Sequence, residues 1–315
     1  MNILITGASG NLGSRVARHL LSSPHQLCLA LHKSPLPSDL ASHPNVSVRK
    51  VDLAEPETLP QACAGVDCVV HFGGVLFAPL PERFLPKTNV GYVQNLVEAA
   101  KHAGVRKFVL ASFPHVEGET TPDRPALGRL DATSNVLHFH TRPEAESFLL
   151  GACEDSSMVP VVFRAGIVYG RGIKLIEGAR WMLRHRVMAV WKKPTWAHLI
   201  ALPDFLAALQ CAIEGQSVRG IYQVCDDAPL TLQEFLDKLA DHYNYAHTWR
   251  LPDWVFQLAG IGCETAALIL GTGAPLNRDI VRAGMTSCVA DNSRMKRELL
   301  TTLAYPTIAD GMKLL

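Results

Sequence analysis

"TGASGNLG", Thr6–Gly13, follows the apolar run "NILIT" (2–6) and leads into a segment with helical spacing. A G-x-x-G-x-x-G turn between a first strand and a helix is the context in which a dinucleotide pyrophosphate is held. Gly7 permits the tight turn, Gly10 lets the backbone approach the phosphates, and Gly13 lets helix and strand pack closely. Free N–H groups at the helix start then attract the anion. Ser9, Asn11 and Leu12 complete the expected cradle.

Outward from this turn, β-type runs alternate with helical patterns: "LCLAL" (27–31), "NVSVRKV" (45–51), "DCVVHF" (67–72), "KFVLAS" (107–112) and "VPVVFRAGIVY" (159–169). The clearest helical segment is "NVGYVQNLVEAAKHAG" (89–104), whose Val90, Val93, Leu96, Val97 and Ala100 make one apolar face, with Gly104 as a stop. Strand, helix, strand, repeated, predicts an α/β protein with a doubly wound parallel sheet. After Tyr169 the rhythm loosens: a helical run (175–186), "HLIAL" (198–202), a helix from Asp204 to Glu214 and "GIYQV" (220–224). The predicted division is a dinucleotide-binding domain over 1–170, with 198–225 returning to it. A smaller mixed α/β substrate domain takes 171–197 and 226–315. The segment 118–134, rich in Gly, Pro, Asp and Thr, reads as a long loop.

Bulk properties narrow the partners. The 315 residues carry 30 basic and 29 acidic side chains, a formal charge of +1, which gives no footprint for nucleic acid or an anionic membrane. A small-molecule partner is expected, and a homodimer is compatible with the sequence. The opening "MNILITG" lacks the layout of a signal peptide, so export is not expected. "WVFQLAGIGCETAALILGTG" from Trp254 contains Gln257, Glu264 and glycines, and suits a buried helix pair better than a bilayer span. The 8 cysteines, among them Cys28, Cys68 and Cys225 in apolar runs, show no metal-ligand spacing. No metal is expected, and reduced core cysteines imply a cytoplasmic location.

At the end of the second strand an acid would favour NAD and a base the 2′-phosphate of NADP. The sequence there is "LHKS", with His32 and Lys33, so NADP is expected and NAD remains open.

These features together resemble the extended short-chain dehydrogenase/reductases, also described as NAD-dependent epimerase/dehydratases. The resemblance rests on the glycine turn, on "VDL" (51–53), on "VVHFGGV" (69–75), and on "TNVGYVQNLVEAAKHAGVRKFVLAS". Further along, "FRAGIVYGRG" (163–172), "LPDFLAAL" and "DNSRMKRELL" match later family patterns. It implies a Rossmann domain with a C-terminal substrate domain. It also implies that Asp52 and Leu53 contact adenine, and that Gly73 and Asn89 lie on the cofactor path.

The family's chemistry belongs to a tyrosine, a lysine four residues later, and a preceding serine or threonine. Aligning that pattern on "HFHTRPEAE" (138–146) places His138 at the tyrosine and Arg142 at the lysine, with Ser112 left as the hydroxyl. No tyrosine lies between Tyr92 and Tyr169. Imidazole can transfer protons at neutral pH. Arg142 and an oxidised nicotinamide are both positive, which disfavours imidazolium and would make a histidine there a base. Arg142 can hold ribose hydroxyls. Thr141 and Glu144 match a capping box, and with Pro143 they predict a helix starting at Thr141 and leave His138 in the preceding loop. His140 and His115 are further proton-transfer candidates. Tyr169 reads as a packed strand-end residue or a stray acid, Asp204 as a helix cap, and 184–196 as a basic, aromatic edge, either solvated or holding an anionic or ring-bearing substrate.

Two functions are compatible with these residues. One is an NAD(P)-dependent oxidoreductase or epimerase acting on a small carbonyl or sugar-like substrate. The other is a redox-inert NADP(H)-binding protein.

Overall fold

The computed structural model describes residues 1–74, 80–132, 134, 136–274 and 276–315; Val75, the last residue of the "VVHFGGV" match, lies outside them. The first half runs β1 (Asn2–Thr6), α1 (Asn11–Leu20), β2 (Gln26–Leu31), α2 (Ser38–Ala41), β3 (Val46–Lys50), α3 (Leu59–Cys63), β4 (Cys68–His71), α4 (Tyr92–His102), β5 (Lys107–Ser112), α5 (Leu137–Ala152) and β6 (Val159–Ala165). Then come β7 (Ile167–Tyr169), α6 (Lys174–Arg184), β8 (Ala189–Trp191), β9 (Trp196–Ala197), β10 (Leu199–Ala201), α7 (Leu202–Glu214) and β11 (Gly220–Val224). The chain ends with β12 (Leu230–Thr231), α8 (Leu232–His242), β13 (Trp249–Leu251), α9 (Asp253–Leu270), α10 (Arg278–Met285), α11 (Ser293–Glu298) and α12 (Ile308–Gly311).

Seven parallel strands form the central sheet in the order β11-β6-β5-β4-β1-β2-β3. This is a Rossmann-type, doubly wound α/β fold, and its strand order reverses between β1 and β4, where a crevice opens at the carboxyl ends. Strand alternation explains the two cores. Ile3, Ile5, Val70 and Val109 face one side, with Val16 and Leu20 of α1 and Phe205 and Leu209 of α7. Leu4, Val69, Phe108 and Leu110 face the other, with Val93 and Leu96 of α4 and Leu149 of α5.

Three expectations are corrected. The run 159–169 is two strands, because a Cβ at Gly166 would lie 2.5 Å from the His198 carbonyl oxygen; β6 stays in the main sheet while β7 pairs with β10. Helix α5 begins at Leu137, not Thr141. Thr141 is no cap: its hydroxyl donates to the Leu137 carbonyl one turn back (3.0 Å) and accepts from Asn89 Nδ2 (3.0 Å). The stretch from Trp254 is one helix, α9, with only Gly260, Glu264 and Ala267 buried. By length and composition α9 could cross a membrane. Apolarity alone does not bury a helix: Trp254, Leu258, Ile261 and Ile269 on its outer side are exposed.

Candidate active site

The glycine turn is shaped as a dinucleotide cradle. Gly7 has φ +74°, and a Cβ there would lie 2.9 Å from the Phe72 carbonyl carbon; a Cβ at Gly13 would run into the Gly7 carbonyl oxygen. The Gly10 N–H closes the turn on the Gly7 carbonyl (2.9 Å). Gly10 also starts α1 without a side-chain cap, and the first turn carries no acid, so its leading N–H groups are available to a phosphate. Ser9 is exposed, and Leu12 packs against the core. Asn11 points elsewhere: its amide donates to the Gly172 carbonyl (3.0 Å) and accepts from the Lys174 N–H (2.9 Å), tying α1 to the loop after β7.

Along the carboxyl edge, Lys33 is exposed and His32 Nε2 lies 3.2 Å from Asp52 Oδ2. The Ala54 N–H, with His32 and Lys33 adding to it, holds the Asp52 carboxyl below its ordinary range despite some burial. Leu53 approaches Gly73, where a Cβ would sit 2.9 Å from its Cδ1 and from the His71 ring. His71 Nδ1 shares a hydrogen bond with Thr6 Oγ1 (2.7 Å), and burial, with Arg142 nearby, pushes its pKa down to about 3. It is therefore a neutral wall of the crevice.

Because α5 begins at Leu137, His138 stands one turn before Arg142. Asp279, in the first turn of α10, accepts from the Leu137 N–H (2.8 Å), the His138 N–H (3.2 Å) and His138 Nδ1 (2.5 Å). Although burial raises Asp279, the ring and both N–H groups outweigh it and hold the carboxyl below its usual range. An ionised carboxylate only accepts, so Nδ1 carries its hydrogen and Nε2 faces away. Nε2 is buried and has no hydrogen-bond partner among the described residues, and His138 is only 6% exposed.

Other candidates are placed differently. Arg142 is buried, donates to the Ala111 carbonyl and leaves Nε without a partner among the described residues; burial lowers its pKa to about 10 against the pull of Glu146. The Ser112 hydroxyl donates to Glu146. Glu146 and Glu117 clamp Arg164, all three essentially inaccessible, at 2.5 and 2.7 Å. His140 faces solvent beside Glu144 (3.5 Å). His115 stacks on Phe139 (5.1 Å), and burial lowers its pKa to about 4. Tyr169 is fully buried, its pKa raised by burial, with its hydroxyl beside Gly311. Asp204 does not cap α7 but accepts from the Ala304 and Tyr305 N–H groups (2.8 and 2.9 Å). Sequence reasoning missed Asp279, Glu117 and the role of Arg164, since no local spacing links partners so far apart.

Comparison with known proteins accords with this geometry. Residues 7–144 match the family described as NAD(P)H-binding. A 3-beta-hydroxysteroid dehydrogenase from Mycolicibacterium neoaurum is 26% identical over 253 residues, 74% of this chain and 68% of that protein. A 2-alkyl-3-oxoalkanoate reductase from Stenotrophomonas maltophilia is 28% identical over 251 residues, 76% of this chain and 74% of that protein. The chain thus carries an NAD(P)H-binding domain over residues 7–144 and resembles a dehydrogenase and a reductase over about three quarters of its length. The structure of a UDP-glucuronic acid 4-epimerase from Bacillus cereus, in complex with UDP-glucuronic acid and NAD, superposes with a TM-score of 0.75 over 100% of this chain and 97% of that one. At 17% identity the likeness is one of fold. His138 and Arg142 stand one turn apart on α5.

Proposed function

We propose that this protein is an NADP-preferring oxidoreductase or epimerase of the extended short-chain dehydrogenase/reductase type, in which His138 transfers the proton, Asp279 positions it and Arg142 holds the nicotinamide ribose. The observation that carries this reading is His138 Nε2, buried and unpartnered among the described residues, while Asp279 fixes Nδ1. The nicotinamide would exchange hydride with a carbinol or carbonyl carbon. On reduction the His138 imidazolium would give its Nε2 proton to the carbonyl oxygen and become neutral; on oxidation the neutral ring would take the hydroxyl's proton at Nε2, with Asp279 balancing the charge of the protonated ring. The relatives' names both concern a ketone or secondary alcohol on a largely apolar skeleton, which supports that substrate class over a nucleotide sugar. Exposed Lys33 beside His32 supports the 2′-phosphate.

A second reading, a redox-inert NADP(H)-binding protein, draws on Ser112, whose hydroxyl is committed to Glu146. A screen of hydrophobic ketones and alcohols following NADPH absorbance tests both. Turnover lost in His138→Ala with NADPH affinity retained supports the enzyme; NADPH binding without turnover on any substrate supports the second reading.

A further inference from the structure

The proposed chemistry does not use the outer face of α9. Trp254, Leu258, Ile261, Leu268, Ile269 and Leu270 are all exposed there, Ile269 to 78%, and past Asp253 this face presents no charged side chain. Contiguous apolar surface of this kind marks an interaction site. The inner side is occupied: Gly260 packs on the backbone of residues 277–278, and Glu264 accepts from the Arg278 N–H and Nε, each at 2.8 Å. So α9 is anchored along its length with one apolar face outward.

The neighbouring edge indicates what covers it. The segment 180–196 holds Arg180, Arg184, Arg186, Lys192 and Lys193 and no acid. Among the described residues Arg184, Arg186, Lys192 and Lys193 make no ion pair, and all four are exposed. This edge runs onto the start of α9: the Trp249 indole donates to the Arg186 carbonyl (3.1 Å), the Lys192 N–H to the Leu251 carbonyl (3.1 Å), and Trp191 packs on Phe256. Trp181, Trp249 and Trp254 are each about 60% exposed along it. Unanswered cations need an anionic counterpart, and α9 of a second copy would offer only Asp253. Basic and indole-rich flanks beside an apolar helix face match an anionic lipid surface.

We propose that the outer face of α9 and the 180–193 edge dock this protein on an anionic membrane surface, with α9 lying in the interface plane. The +1 net charge conceals this site because it averages over the whole chain. Docking would also set α10, which carries Asp279, next to the lipid.

Flotation of the full chain with vesicles tests the proposal. Binding is expected to phosphatidylcholine vesicles containing about 30% phosphatidylglycerol, falling roughly tenfold or more at about 0.5 M salt. Leu258→Gln/Ile269→Gln should abolish it, and Arg184→Glu/Lys193→Glu should weaken it by a similar factor, with circular dichroism and NADPH binding unchanged. No binding to anionic vesicles, or equal binding by the charge-reversed variant, overturns the proposal. So does a dimer, seen by sedimentation and dissociated by Leu258→Gln/Ile269→Gln, that ignores vesicles; a second copy then covers the face.

Discussion

His138 and Asp279 lie 141 residues apart in sequence and are joined twice, through the ring Nδ1 and through the backbone N–H. A carboxylate from α10 thus caps α5 and orients the ring in one act. His138→Ala should lower kcat by about 10²–10⁴-fold. Asp279→Asn should lower kcat with little change in KM for NADPH, because among the described residues its side chain bonds the start of α5 and the histidine ring.

The same carboxylate makes stability depend on acid. Its folded pKa is lowered, so its contribution is fully present above the unfolded value of about 3.9 and is lost as pH falls through the folded pKa. Asp279→Ala should therefore show a Tm deficit at pH 7 that shrinks toward pH 3. A deficit that stays constant across this range would refute the assignment.

Lys33 should set cofactor choice. Lys33→Asp is expected to weaken NADPH binding by roughly 10- to 100-fold, as for a hydrogen bond to a charged group, and to leave NADH nearly unchanged. Fluorescence titration with both cofactors measures it. Tighter NADH than NADPH binding in the parent chain would contradict the role given to Lys33.

Arg164 joins two buried carboxylates, Glu117 and Glu146, and has no access to solvent. Arg164→Met removes the cation between them and should destabilise by about 3–5 kcal/mol in urea unfolding, whereas an exposed pair such as His140 with Glu144 contributes little.

Asp226 should act in the opposite sense to Asp279. Burial, with Asp227 and Asp204 adding, raises its pKa to about 8, although the Ala228 N–H works against this. The unfolded carboxyl loses its proton near 3.9, so this group's contribution declines as pH rises toward 8, by up to about 1.4 kcal/mol per unit. Asp226→Asn should accordingly gain Tm relative to the parent between pH 5 and 8. A relative loss over that range would refute the buried neutral acid.

The sequence by itself determined the sheet and its dinucleotide turn. Alternation in "NILIT", the amphipathic face of 89–104 and the glycines from Gly7 to Gly13 are local constraints, set by backbone sterics and by which side chains must leave water. The resemblance to a known family also pointed to His138 and Arg142 as candidates. Only the tertiary structure decided where α5 begins, because the local capping box at Thr141 lost to a distant carboxylate that satisfies two N–H groups and an imidazole together. It likewise decided that Arg164 is a buried clamp and that α9 faces outward. Those outcomes depend on which elements pack side by side, and neither periodicity nor composition records that.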